Sequence, residues 1–236
     1  MAHDHADESS VFDILREGLI WGRWRSGEQL KPQHLKEELN CTSGVLREAL
    51  LRLSGEGLVE SVRNSGFRVS SYDEETFREA AHLRLLLEFE AAELAVKNGD
   101  FEWEMAVNTA HHNLAYIEEQ MAAVDDITPF AQRWSKLDWT FHSAILSACG
   151  SQLLMGRYRS VYDTFRMYAA AQIENFGFLV PGTIDEHRAI FETAIQRDAE
   201  GCIEAIKAHL RLYHDESRST NSLRMKKHKV QRKRIA

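Results

Sequence analysis

The sequence predicts a mainly α-helical chain: an N-terminal winged helix-turn-helix (three helices plus a two-stranded wing), then an all-helical antiparallel bundle of about six helices. Three observations carry this. The 236 residues include only three prolines, which favours long helices over a loop-rich or all-β design. After Asp73 apolar residues recur with helical period, and most of the periodic segments open on a residue suited to cap a helix. Before Tyr72 the segments are short and finish in two strand-like pieces around a tight turn.

In the front part, Val11 to Trp24 reads as a first helix, capped by Ser10, with Ile14, Leu15, Leu19 and Ile20 as its apolar residues. Ser26-Gly27 breaks it. Pro32 to Leu39 is a short helix, Asn40-Cys41 a turn, and Thr42 the cap of a third helix through Leu53. Gly55 and Gly57 stop that helix. LVESV and FRVSS, separated by RNSG, are the two strands of the wing.

Behind them six helices are expected at 74–97, 101–123, 129–148, 152–174, 184–197 and 199–217. Asp73, Asp100, Ser151 and Asp198 are placed as caps, Pro129 sits at a first helical position, and Thr183–Glu186 has the capping-box form. The division is then 9–72 for the winged helix, 73–220 for the bundle and 221–236 for a basic, disordered tail.

Charge is uneven along the chain. The formal net charge is −7, yet 9–72 holds nine Lys/Arg against eight Asp/Glu, while 73–221 holds thirteen against twenty-five. An acidic whole therefore does not exclude a DNA-binding front, because the acid is concentrated in the middle. The last fifteen residues carry seven basic residues and no acid, which suits a solvated end or auxiliary phosphate contacts. Three scattered cysteines without a CxxC support neither a disulfide framework nor a thiolate zinc site. No signal peptide and no membrane-spanning run stand out, so a cytoplasmic protein without a membrane partner is expected.

The third helix would enter a major groove N-terminus first, which turns Thr42, Ser43, Gly44 and Arg47 toward bases or phosphates. This segment resembles the winged helix of GntR-family transcription regulators through LREALLRL, GEGLVE and the NSGFRV wing, over about sixty residues. The resemblance implies DNA contacts from Gln33, Thr42, Ser43, Gly44, Arg47, Arg52 and, in the wing turn, Arg63. It departs at Ser26-Gly27, where the family has proline-glycine, at Val45, and at Ser43, where many members carry a base-reading arginine. Phosphate positioning carries over better than base choice.

In the bundle, Asp138 and His142 lie four residues apart on a stripe with Trp134, Ile145 and Cys149. On a helix they stack about 6 Å apart on one face. An aspartate there needs a partner. His187, beside Ile190, Phe191 and Ala194, and His209, on the stripe Cys202, Ile206 and Tyr213, point to the same interior. Residue types and spacing leave two readings open: a metal site assembled from facing helices, or a hydrogen-bonded Asp–His pair with two unrelated histidines. Arg84 and Glu88 are equally open between a surface i,i+4 ion pair and an arginine facing a cavity.

The bundle is similar to the FCD ligand-binding domain of the FadR branch of that family, through RLLLEFEAAELA, DWTFHSAI, EHRAIFETAI and AIKAHL. The resemblance implies one divalent metal (zinc, nickel, manganese or iron) on Asp138, His142, His187 and His209. It implies a small carboxylate effector gripped by Arg84, with Arg159, Tyr162 and Arg166 as weaker candidates. The expected protein is a homodimeric repressor that binds a short inverted repeat and is not an enzyme. The alternatives are a metal-dependent hydrolase or oxidase that docks through its winged helix, and a DNA-binding regulator with neither metal nor effector.

Overall fold

The computed structural model describes residues 7–63, 65–71, 73–171 and 182–214. The expected basic tail at 221–236, and the ends expected for two helices at 172–174 and 215–217, lie outside them.

In the front part α1 spans Glu8–Ile20, β1 Gln29–Leu30, α2 Pro32–Glu38, α3 Ser43–Gly55, β2 Val59–Val62 and β3 Gly66–Val69. Three details differ from expectation. The cap of α1 is Asp7, whose carboxylate accepts from the Ser10 N–H, rather than Ser10 itself. The helix ends at Ile20, not Trp24. Gly22 takes φ +83°, the Arg23 N–H bonds the Gly18 carbonyl and the Gly22 N–H that of Leu19, which is a Schellman ending. The wing also has a third strand. β1 is only two residues long, too short for an alternating pattern, and pairs antiparallel with β3 through Gln29↔Arg68 and Leu30↔Phe67.

α3 begins as expected, with Thr42 Oγ1 accepting from the Val45 N–H, and ends in a second Schellman motif on Gly57 at φ +80°. Leu46, Ala49, Leu50 and Leu53 bury its inner face against Val11, Phe12, Leu15 and Leu19 of α1. The N-terminal half of its outer face is left exposed. That is the geometry a groove-reading helix requires.

The rear helices are α4 (Glu74–Asn98), α5 (Phe101–Ala122), α6 (Ala131–Leu146), α7 (Gln152–Ala171), α8 (Thr183–Ile195) and α9 (Ala199–His214). Asp73, Asp100, Ser151 and Asp198 cap α4, α5, α7 and α9 as expected. The 129–148 segment is α6 flanked by two single 3₁₀ turns, Thr128–Phe130 and Ser147–Cys149. The capping box expected at Thr183 is not made: Gly182 is the N-cap of α8, and the Glu186 carboxylate reaches across to His209 instead. α4 lies centrally, packed on α6, α7 and α9, while α5 packs on α6 and α8. α7 belongs to both halves. Tyr158, Tyr162 and Phe165 lie in the rear core, whereas Met167 is buried in the front core. Among the described residues no helix is long and apolar enough to cross a membrane.

Candidate metal centre

Three helices bring the expected donors together. Asp138 and His142 come from successive turns of α6, His187 from α8 and His209 from α9. One nitrogen from each of the three imidazoles lies within 4.8 Å of the others. Asp138 Oδ1 stands 3.5 Å from His187 Nε2 and 3.7 Å from His142 Nε2. Asp138, His142 and His187 are all buried. The Nε2 atoms of His142 and His187 have no hydrogen-bond partner among the described residues. Two buried imidazole nitrogens facing one carboxylate without a hydrogen bond are costly unless a cation or a proton joins them.

The electrostatics favour a cation. Burial, with Arg84 and the neighbouring imidazoles, holds the His142 imidazolium well below its usual pKa. Burial, His187 and Arg84 do the same at His209. Burial would raise the Asp138 carboxyl, but Arg166, His187, Arg84 and the Tyr162 hydroxyl outweigh it and hold the pKa below the usual range. Two neutral imidazoles beside an ionised carboxylate are the protonation states that metal binding requires.

The surrounding hydrogen bonds orient these donors. The Tyr162 hydroxyl donates to Asp138 Oδ2 at 2.5 Å. His187 Nδ1 lies 2.8 Å from Glu118 Oε1, and His209 Nδ1 lies 3.0 Å from Glu186 Oε2. Neither glutamate was expected from the sequence. Glu118 did leave a signal, an acid on the α5 face that carries Leu114 and Met121.

The candidate effector residues separate. Arg84 and Glu88 do form the i,i+4 pair, at 2.7 Å, but both side chains are only 1% exposed, so it is no surface bridge. Tyr158 donates to the same Glu88 oxygen, while Arg84 Nη2 and Glu88 Oε2 are buried without a hydrogen-bond partner among the described residues. The Arg84 guanidinium lies over the rings of Tyr162 and Phe165. Arg166 is buried over Trp134, and its charge is the largest influence holding the Asp138 carboxyl down. Arg159 faces elsewhere, stacked on Trp139 and paired with Asp163.

On the front part, Thr42, Ser43, Gly44, Arg47 and Arg63 are exposed. Gln33, Lys36, Ser43, Arg47 and Phe67 line one groove of about 280 Å³ between α2, α3 and the wing. Lys36 is an addition that the sequence did not suggest. Arg47 makes no ion pair or hydrogen bond among the described residues, whereas Gln33 donates to Glu37. Arg52 is turned away from this groove, over the Phe12 ring and 3.3 Å from Glu8 of α1.

Comparison with known proteins reaches both halves. The FCD domain matches residues 79–212, and the gntR family of bacterial regulatory proteins matches residues 8–69. The HTH-type transcriptional regulator BphR of Paraburkholderia xenovorans is 30% identical over 211 residues, covering 85% of this chain and 81% of the relative. The HTH-type transcriptional repressor GlaR of Escherichia coli is 27% identical over 199 residues, covering 83% and 89%. Among solved structures, E. coli McbR/YncC has the same fold, with a TM-score of 0.74 at 19% identity over 86% of this chain and 93% of its own.

Proposed function

This chain belongs to the GntR family of bacterial regulatory proteins and carries an FCD domain, and from that premise we propose a metal-dependent, ligand-responsive repressor. It is a transcriptional regulator; its sign, metal and effector are our reading. One observation carries the metal: Asp138, His142 and His187 converge with two buried, unpartnered Nε2 atoms, and His209 closes the set. When bound, a divalent ion supplies a Lewis-acid centre that favours a hard oxygen anion, and zinc, nickel, manganese or iron would accept these donors. The chain's own groups fix the rest. Tyr162 keeps Asp138 oriented, and Arg84 supplies a buried guanidinium whose Nη2 has no hydrogen-bond partner among the described residues. That unmet donor supports a small organic acid as effector. The repressor name of GlaR supports repression as the sign.

The DNA contact falls to the exposed N-terminus of α3 and to the wing, with Arg47 as a cation unpaired among the described residues and Gln33, Lys36, Ser43 and Arg63 around it. A homodimer on an inverted repeat is the form in which one short recognition helix reads enough sequence. The exposed Leu83 and Leu86 of α4, 45% and 53% accessible, support a partner surface there. Light scattering should return a dimer, and a mass of 27.1 kDa at micromolar concentration would overturn it.

The experiment is a binding titration against the promoter region at several salt concentrations. Arg47→Ala should lower the salt slope by about one if it holds phosphate. It should instead cost about 1–3 kcal/mol at one base position if it reads an edge. Salt-insensitive binding by the wild type would rule the DNA reading out. For the effector, a carboxylate panel is compared by thermal shift on the metal-loaded protein, the chelated protein and Arg84→Ala. Equal shifts in all three would remove both metal and arginine from the mechanism.

A further inference from the structure

Glu118 is a buried carboxylate, 1% exposed, on the inner face of α5, a helix that contributes none of the four candidate ligands. One of its oxygens, Oε1, is shared. Trp134 Nε1 lies 3.1 Å away and His187 Nδ1 2.8 Å away. An indole N–H can only donate, so this oxygen is an acceptor. Against a Glu118 carboxylate, which can only accept, His187 Nδ1 presents its hydrogen. A neutral imidazole has a single N–H, so the lone pair is left on Nε2. That atom has no hydrogen-bond partner among the described residues and lies 3.5 Å from Asp138 Oδ1.

We infer that Glu118 is a positioning residue for the metal centre: through Trp134 and His187 it fixes the tautomer and ring orientation that aim His187 Nε2 at the cation. The inference rests on the metal reading above. Its consequence is specific. With Nδ1–H engaged by Glu118, two acceptors face each other across 3.5 Å, and a metal ion or a second proton on His187 makes that arrangement favourable; in our inference the metal takes that place. Glu118 therefore builds an affinity for metal into the folded apo protein and raises the basicity of the ligand it orients. Glu186 stands to His209 as Glu118 does to His187, but its side chain is 28% exposed, so water competes and its contribution is the smaller.

The test is the affinity for zinc alone, then manganese alone, by competition with a chromophoric chelator, on wild type, Glu118→Gln, Glu186→Gln and His187→Ala. Glutamine keeps the size and an acceptor oxygen while removing the charge. Glu118→Gln should weaken zinc binding about 10- to 100-fold. Glu186→Gln should weaken it less, and the melting temperature of chelated Glu118→Gln should stay close to that of chelated wild type. A merely structural glutamate would lower the chelated protein's melting temperature and leave zinc affinity unchanged. A His187 that holds protons for both Glu118 and Asp138 would bind zinc as well or better once Glu118 is neutral. Either result overturns the inference while His187→Ala still loses zinc. Wild-type protein that takes up neither ion overturns the inference and the metal reading together.

Discussion

Two buried aspartates, one facing α7 and one on it, are treated in opposite ways. Asp138, on α6, meets the Tyr162 hydroxyl and the unpartnered nitrogens of His142 and His187. Asp163, the residue after Tyr162, meets two permanent cations. Arg16 of α1 donates from Nε at 2.6 Å and again from Nη2, and Arg159 pairs with it one turn back on α7. A carboxylate whose counter-charges are built in is a joint. One that meets a hydroxyl and two unpaired imidazole nitrogens, with Arg166 and Arg84 supplying the neighbouring positive charge, is a candidate binding site. Because Tyr162 and Asp163 are consecutive, one helix carries the hydroxyl that orients Asp138 of the candidate site on one side and the anchor of the DNA-binding half on the other. Met167 and Ala170 extend that anchor, the first buried in the front core and the second against Gly22. We read α7 as the route by which occupancy of the site reaches α1 and, through the shared core, α3.

The largest effect should come from the Asp138 side. Removing the metal, by chelation or by His187→Ala with His209→Ala, should lower stability by about 2.7 kcal/mol where free metal stood 100-fold above its Kd. Metal content and melting temperature should fall together. Full metal occupancy in the double variant would mean another site holds the ion and would erase the contrast. Next comes the joint. Arg16→Ala and Asp163→Asn, combined in a double-mutant cycle, should show a coupling of about 0.5–3 kcal/mol, since the pair is mostly buried. Neither variant should change metal content. If α7 is the route, Arg16→Ala should keep DNA affinity but shrink the change that the effector produces in it. An undiminished effector response would place the route elsewhere.

Much of this was legible in the sequence, for reasons that can be named. The caps Thr42, Asp73, Asp100, Ser151 and Asp198 work locally, so their residue types alone located five helix starts. The four candidate ligands lay on helical stripes, and periodicity indicated that they faced inward. What escaped was either too short or non-local. β1 has two residues and exists only because β3 pairs with it. Gly22 ends α1 through its positive φ while the apolar pattern runs on. Glu118, Glu186 and the Arg16–Asp163 contact span 23 to 147 residues, and no spacing rule reaches that far. Arg159 is a further case: its position on α7 suggested the effector site, and only the fold shows its guanidinium engaged by Asp163 and Trp139.

The subtlest consequence concerns pH. Burial pushes the Asp163 carboxyl above the usual carboxylate range, and Arg159 and Arg16 offset only part of that. Lys136 and Glu17 also pair across α6 and α1, and both are largely exposed. The folded protein therefore holds a proton on Asp163 to a higher pH than the unfolded chain does. A group shifted this way contributes stability that is complete below the unfolded pKa of about 3.9 and is lost as pH rises through the folded value. Asp163→Asn has no such titration, and the remaining groups are common to both chains. Acidification from neutral toward pH 4 should thus move the difference in unfolding free energy in favour of the wild type, whichever chain is more stable at pH 7. Urea unfolding of both chains across that range measures it. A difference that moved toward the asparagine variant on acidification would mean that the two arginines outweigh burial, and that the joint at Asp163 is held by charge as firmly as a metal would hold Asp138.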